Sequence, residues 1–126
     1  MLSKRERLTN SELVLVKEEG EMRQGRWFGV LLRRGSSKET PKFGLVVSSK
    51  VSKRAVERNK IKRKLREAVR RVLPEVARGM QAVVLGGKRV LEVSVVELTE
   101  EMKRVLTREG AIKSSKFPPI RRAGKV

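Results

Sequence analysis

The chain has 126 residues, with 32 Lys and Arg against 14 acidic residues, all of them Glu, for a formal net charge of +18. That length suits one small domain, and 38% hydrophobic residues suffice for a modest core without any run near the roughly 18 apolar residues that span a bilayer. Cysteine, histidine, aspartate and tyrosine are absent, which excludes disulfides, thiol nucleophiles, imidazole acid–base chemistry and zinc sites.

At the amino end, Met1-Leu2-Ser3-Lys4-Arg5 runs straight into charge and carries no secretory apolar stretch, so a soluble, cytoplasmic protein is expected. Thr9-Asn10-Ser11 offers N-cap oxygens ahead of Leu13, Val14 and Val16, and Gly20 stops the pattern, which predicts a helix over about 10–19. Residues 27–32 and 43–47 are apolar, partly β-branched runs separated by Arg33-Arg34-Gly35-Ser36-Ser37-Lys38, and they read as neighbouring antiparallel strands. From about Ser52 to Leu73 no Gly or Pro occurs until Pro74, which predicts the longest helix of the chain. Residues 82–85 form a third, central strand ending in Gly86-Gly87. Ser94 with Glu97 fits a capping box for a last helix, in which Leu91, Val95, Leu98, Met102, Val105 and Leu106 recur at three- and four-residue steps before Gly110. A further short strand has room in the loops. The expected fold is α+β, a small two-layer α/β sandwich of helices on a central mixed sheet. Residues 1–112 form the domain, and 113–126, with Lys113, Lys116, Arg121, Arg122 and Lys125 and no acid, read as a basic disordered tail.

The charge is unevenly placed. Residues 1–23 hold five basic and five acidic residues, whereas 50–71 hold eleven basic residues against Glu57 and Glu67, half the net charge in 22 positions. Such a block repels itself and points to a polyanionic partner. At about 100° per residue, Ile61, Leu65, Ala68 and Val72 share one arc of the long helix, while Asn59, Lys62, Arg63, Arg66 and Arg70 share another. One face is core and the other basic. An ordinary solvated surface would offset Lys and Arg with Glu at four-residue spacing; with only two Glu nearby, the basic face is expected to lack counterions, and the phosphates of a polyanion would relieve that repulsion. Arg offers bidentate geometry to phosphate, and the Asn59 amide can donate and accept at a sugar or base edge.

The stretch Phe43-Gly44-Leu45-Val46-Val47-Ser48-Ser49-Lys50-Val51-Ser52-Lys53-Arg54-Ala55-Val56-Glu57-Arg58-Asn59-Lys60-Ile61-Lys62-Arg63-Lys64-Leu65-Arg66-Glu67 resembles the signature of the bacterial ribonuclease P protein component. Its centre is Arg58-Asn59 followed by Lys62-Arg63 and Arg66-Glu67, and the resemblance extends over about residues 4–108, with Arg5-Glu6-Arg7-Leu8 before it and residues 80–85 as the following strand. The resemblance implies a left-handed crossover of the long helix between parallel strands. It implies the small subunit of a ribonucleoprotein in which the RNA, with Mg²⁺, hydrolytically removes the 5′ leader of precursor tRNA. On that basis the chain itself supplies no catalytic group and no metal site of its own. Arg58, Asn59, Lys62, Arg63, Arg66 and Arg70 are then the expected contacts to the ribonuclease P RNA. A leader cleft is expected from Leu13, Lys17, Trp27, Phe28, Ser48, Lys50, Lys53 and Arg54.

The chain departs from the family pattern in its aromatics. Two first-helix positions that are usually Phe are Leu13 and Lys17, Ser49 stands where a basic residue is common, and Gln81 where Asp is common. Strand alternation places Trp27 and Phe28 on opposite faces, one packing in the core and the other free to stack on a base. Among rivals, a ribosomal or RNA-chaperone-like protein shares the small size and basic tail. A DNA-binding module would show a helix pair or dimer spacing, a membrane-surface helix a broader apolar face, and a protein nuclease clustered carboxylates for Mg²⁺.

Overall fold

The computed structural model describes residue 2 and residues 4–35 and 39–110; the predicted basic tail lies outside them. A 3₁₀ turn at Lys4–Glu6 leads into helix α1 (Asn10–Glu19), followed by strands β1 (Glu21–Gln24), β2 (Phe28–Arg34) and β3 (Lys42–Val46), helix α2 (Ala55–Val72), strand β4 (Met80–Gly86) and helix α3 (Val95–Arg108). Further 3₁₀ turns lie at Leu73–Glu75 and Lys88–Glu92. Thr9 caps α1 in a complete capping box: its hydroxyl accepts from the Glu12 N–H at 3.2 Å, and the Glu12 carboxylate accepts from the Thr9 N–H at 2.9 Å. At α3 the Ser94 hydroxyl accepts from the Glu97 N–H at 3.1 Å. Leu91, expected within α3, lies in the preceding 3₁₀ turn. Among the described residues no helix is long and apolar enough to cross a membrane.

The sheet runs β1-β2-β4-β3, with β2 antiparallel and β3 parallel to β4. This corrects the expected β2–β3 pairing. β4 enters between them because Ala82, Val83 and Val84 are fully buried on both faces, which suits a central strand. α2 supplies the crossover joining the parallel pair β3 and β4. The extra strand β1, Glu-Met-Arg-Gln, escapes an apolar pattern because it is a polar edge strand paired only with β2.

The α+β sandwich with its central mixed sheet agrees with expectation, and helices pack on both faces of the sheet. Register places Val30, Phe43, Met80, Ala82 and Val84 toward Ile61, Leu65, Val69 and Val72 of α2 and Leu98, Met102 and Val105 of α3. Gly86 makes close approach possible there, since a Cβ on it would sit 2.8 Å from Ile61 Cγ2 and 2.8 Å from Leu65 Cδ1. On the opposite face Val83 pairs with Gly44, where a Cβ would come within 2.7 Å of Leu13 Cδ1 on α1. The missing Cβ atoms thus let a helix settle onto each face.

Candidate nucleic-acid interface

α2 begins at a tightly tied turn. The buried Ser52 hydroxyl accepts from the Arg54 N–H at 3.2 Å and donates to Glu57 Oε1 at 2.6 Å, while Arg58 Nη1 donates to the Ser52 carbonyl at 2.8 Å. These bonds explain why α2 starts at Ala55 and not at Ser52, as the sequence pattern suggested: the Ser52 side chain competes for the backbone and makes a turn. The Ser52 hydrogen bond, helped by nearby Lys88, Arg54 and Lys60, holds the Glu57 carboxyl below its ordinary pKa. Arg58 therefore has a structural acceptor as well as a place in the basic row.

Farther along α2 the cations divide into committed and free groups. Arg70 grips Glu67 with two bonds of 3.1 and 2.5 Å, and Arg71 adds a third at 3.1 Å, which lowers the Glu67 pKa to about 2. Arg70 thus departs from the expected face without counterions, because Glu67 lies three residues away on the adjoining turn. Lys64 turns the other way and donates to the carbonyl oxygens of Val90 and Leu91 at 3.1 and 3.4 Å and to that of Val93, anchoring the 3₁₀ segment. The side chains of Asn59, Lys62, Arg63 and Arg66 have no hydrogen bond or ion pair to another described residue. Asn59 and Arg63 are exposed, and Lys62 and Arg66 half-buried. With Lys60, also exposed and in no ion pair, this leaves four cations and one amide along the helix whose side chains the fold does not tie down.

A second surface lies on the α1 side of the sheet. Lys42 pairs with Glu12 at 2.9 Å and Arg33 with Glu19 at 3.0 Å, which pins one flank of α1 to the end of the sheet where β3 begins and β2 ends. Arg33 also donates to Gln81 Oε1 at 2.7 Å, so the buried Gln81 amide serves the same anchorage. The Thr9 N–H chiefly, and the Lys42 bond after it, depress the Glu12 pKa against the opposing effect of burial. Leu13 and Lys17 lie on the other flank, beside an open part of the same sheet face made by the half-buried Leu31, Val46 and Leu85, with exposed Met22 at the rim. Exposed Ser48, Lys50, Lys53 and Arg54 follow in the loop that leaves the end of β3. Every side chain of this floor is aliphatic.

Trp27 and Phe28 are not part of that groove. Phe28 is 2% exposed in the core under α2 and α3, and Trp27 lies just outside β2, half-buried against the same core, so strand alternation does not govern it. The sequence also pointed away from Lys64, whose charge looked like one more member of the basic block. The groove floor was missed because Leu31, Val46 and Leu85 share a face only once register is known.

The pattern of elements and uncommitted basic residues coincides with a match of the ribonuclease P family to residues 2–110. The chain belongs to that family. It is 35% identical over 71 residues to the ribonuclease P protein component of Microcystis aeruginosa, an alignment that covers 56% of this chain and 59% of that protein. The aligned part therefore spans between half and three-fifths of the length of such curated relatives. The ribonuclease P protein of Thermotoga maritima superposes with a TM-score of 0.70 at 31% identity, covering 87% of this chain and 100% of that one. The Staphylococcus aureus protein superposes equally well, at a TM-score of 0.70 and 21% identity, with 87% and 100% covered, and shares the fold. In this family member, no three carboxylates among the described residues are grouped to hold a metal ion.

Proposed function

We propose that the chain acts as the protein subunit of ribonuclease P, binding the RNA subunit through α2 and the 5′ leader of precursor tRNA through the groove beside α1. The observation that carries this reading is the row of Asn59, Lys62, Arg63 and Arg66, exposed or half-buried and unpaired within the described fold. Arg58 extends the row from the tied turn. Positive side chains left without internal partners release counterions when phosphates replace them, and arginines add bidentate geometry. Arg70 contributes charge from its pair with Glu67.

The catalytic centre in this reading is RNA, and Mg²⁺ acts through the RNA and the substrate. The protein's part is to screen phosphate repulsion and orient the leader. The leader groove works by charge and aliphatic contact: Lys17, Lys50, Lys53 and Arg54 supply cations and Leu13 borders the aliphatic floor. Base stacking on aromatic rings, worth about 1–3 kcal/mol per base elsewhere, is not offered in that groove by Phe28 or Phe43, which are buried in the opposite core, or by Trp27, which lies half-buried against that core. Hydrolysis of the leader bond yields the mature 5′ end of tRNA, and a cytoplasmic setting accompanies that role.

Reconstitution tests the reading. Added to a bacterial ribonuclease P RNA at limiting Mg²⁺, the purified chain is expected to stimulate 5′ leader removal from precursor tRNA. No stimulation, with a control subunit active in the same assay, would favour a ribosomal or RNA-chaperone-like role. Cleavage by the chain without RNA would overturn the assignment of catalysis to RNA.

A further inference from the structure

Two adjoining depressions lie on the flank of α2 that faces the 3₁₀ turn and the start of α3. One, of about 400 Å³, is lined by Glu57, Lys60, Arg63, Lys64 and Leu91. The other, of about 430 Å³, is lined by Arg63, Lys64, Arg66, Glu67 and Val95. Arg63 and Lys64 border both, so the two form one trough whose α2 wall runs from Glu57 to Glu67, about 15 Å along the helix at about 1.5 Å per residue. Neighbouring nucleotides of a single strand can occupy such a pair. This trough lies on the α2 side of the sheet, away from the groove beside α1.

The chemistry of the trough selects a single-stranded polyanion. Its floor is apolar, from half-buried Leu91 and Val95, and Val96, 57% exposed, stands next to Val95 at the start of α3. Lys64 cannot serve a ligand because its ammonium is spent on the carbonyls of Val90, Leu91 and Val93. The two carboxylates at the ends are likewise engaged, Glu57 by Ser52 and Glu67 by Arg70 and Arg71. Lys60 and Arg63 are left exposed on the α2 wall, with exposed Lys88 near the Glu57 end. A duplex presents its phosphate ridges and keeps its bases stacked inside, whereas an unpaired strand can lay a base on an apolar floor or against an arginine plane.

We infer that the trough between α2 and residues 91–96 holds two consecutive unpaired nucleotides of the RNA subunit, with the Arg63 guanidinium between their bases and Lys60 and Lys88 at their phosphates. The inference rests on the RNA-subunit reading above and adds to it a specific site and a single-stranded target.

The chain contains no cysteine, so Val96→Cys provides one attachment point for a photoreactive azidophenacyl group at an exposed position. In the complex with a bacterial ribonuclease P RNA and precursor tRNA, this probe is expected to crosslink to one or two adjacent unpaired nucleotides of the RNA subunit, with the yield falling at least fivefold when Arg63→Ala is added. The same probe at Val14→Cys on α1, 51% exposed, is expected to mark different nucleotides. Crosslinks only to paired RNA or to the precursor tRNA leader, or none while the chain still binds the RNA, overturn the trough and leave the subunit reading standing. Failure of the unmodified chain to bind the RNA overturns both. As a second measurement, Lys60→Ala with Lys88→Ala is expected to lower the slope of log affinity against log salt by about 1.4, from about 0.7 per single-strand phosphate. An unchanged slope refutes the phosphate contacts.

Discussion

Glu101 holds the β1–β2 hairpin to α3, and removing it should loosen the rim of the groove beside α1. Its carboxylate is 6% exposed; Oε2 accepts from the Arg26 N–H at 2.8 Å, and Arg104 donates to Oε1 and Oε2 at 2.9 and 2.6 Å. In Glu101→Ala the part-buried Arg26 amide loses its acceptor, at a cost of about 1–3 kcal/mol. The lost Arg104 pair adds about 0–1 kcal/mol, because Arg104 is 51% exposed and regains water. A loss of about 2–3 kcal/mol corresponds to a fall in Tm of about 10 °C for a domain of this size. Glu101→Gln keeps an oxygen for the amide and should lose about 1 kcal/mol.

The same contact has a pH signature. Arg104 chiefly, and the Arg26 amide after it, lower the Glu101 pKa against the opposing effect of burial. A depressed folded-state pKa contributes stability that is present above the unfolded value, about 4.3, and is lost as pH falls through the folded value. The wild-type advantage over Glu101→Gln should therefore hold at neutral pH and shrink below about pH 4.3. Urea unfolding across pH, with hydrogen exchange of the Arg26 amide, measures both effects. Equal stabilities of the Ala and Gln variants, both within about 0.5 kcal/mol of wild type, would refute the reasoning.

Gly86→Ala should destabilise the chain by about 1–3 kcal/mol through overpacking, since its Cβ would meet Ile61, Leu65 and Val47 at 2.8, 2.8 and 3.0 Å; thermal unfolding checks this, and a neutral substitution would show that α2 yields freely. Arg66→Ala and Arg58→Ala should each reduce RNA-subunit affinity and its salt dependence. Only Arg58→Ala should also lower thermal stability, because Arg58 alone of the two holds the Ser52 carbonyl. Equal melting temperatures for the two variants would remove that structural role.

Much of this protein is legible along the chain. Local rules identified α1, α2 and α3, since the caps at Thr9 and Ser94, the proline after α2 and the apolar arc through Ile61, Leu65, Ala68 and Val72 all act within a few residues. The position of the uncommitted cations on α2 follows from the same helical period. Strand order did not follow, because pairing β4 between β2 and β3 depends on which strand is apolar on both faces, and β1 has no apolar pattern at all. Nor did the fate of individual charges: Lys64 and Lys60 belong to one basic run, yet Lys64 meets three backbone carbonyls while Lys60 lines an open trough. The sequence alone determined a basic helix on a small α+β domain and the family to which it belongs. Tertiary structure decided which cations remain available, and that Trp27 and Phe28 serve the core, because partners for a side chain come from segments the local pattern does not contain.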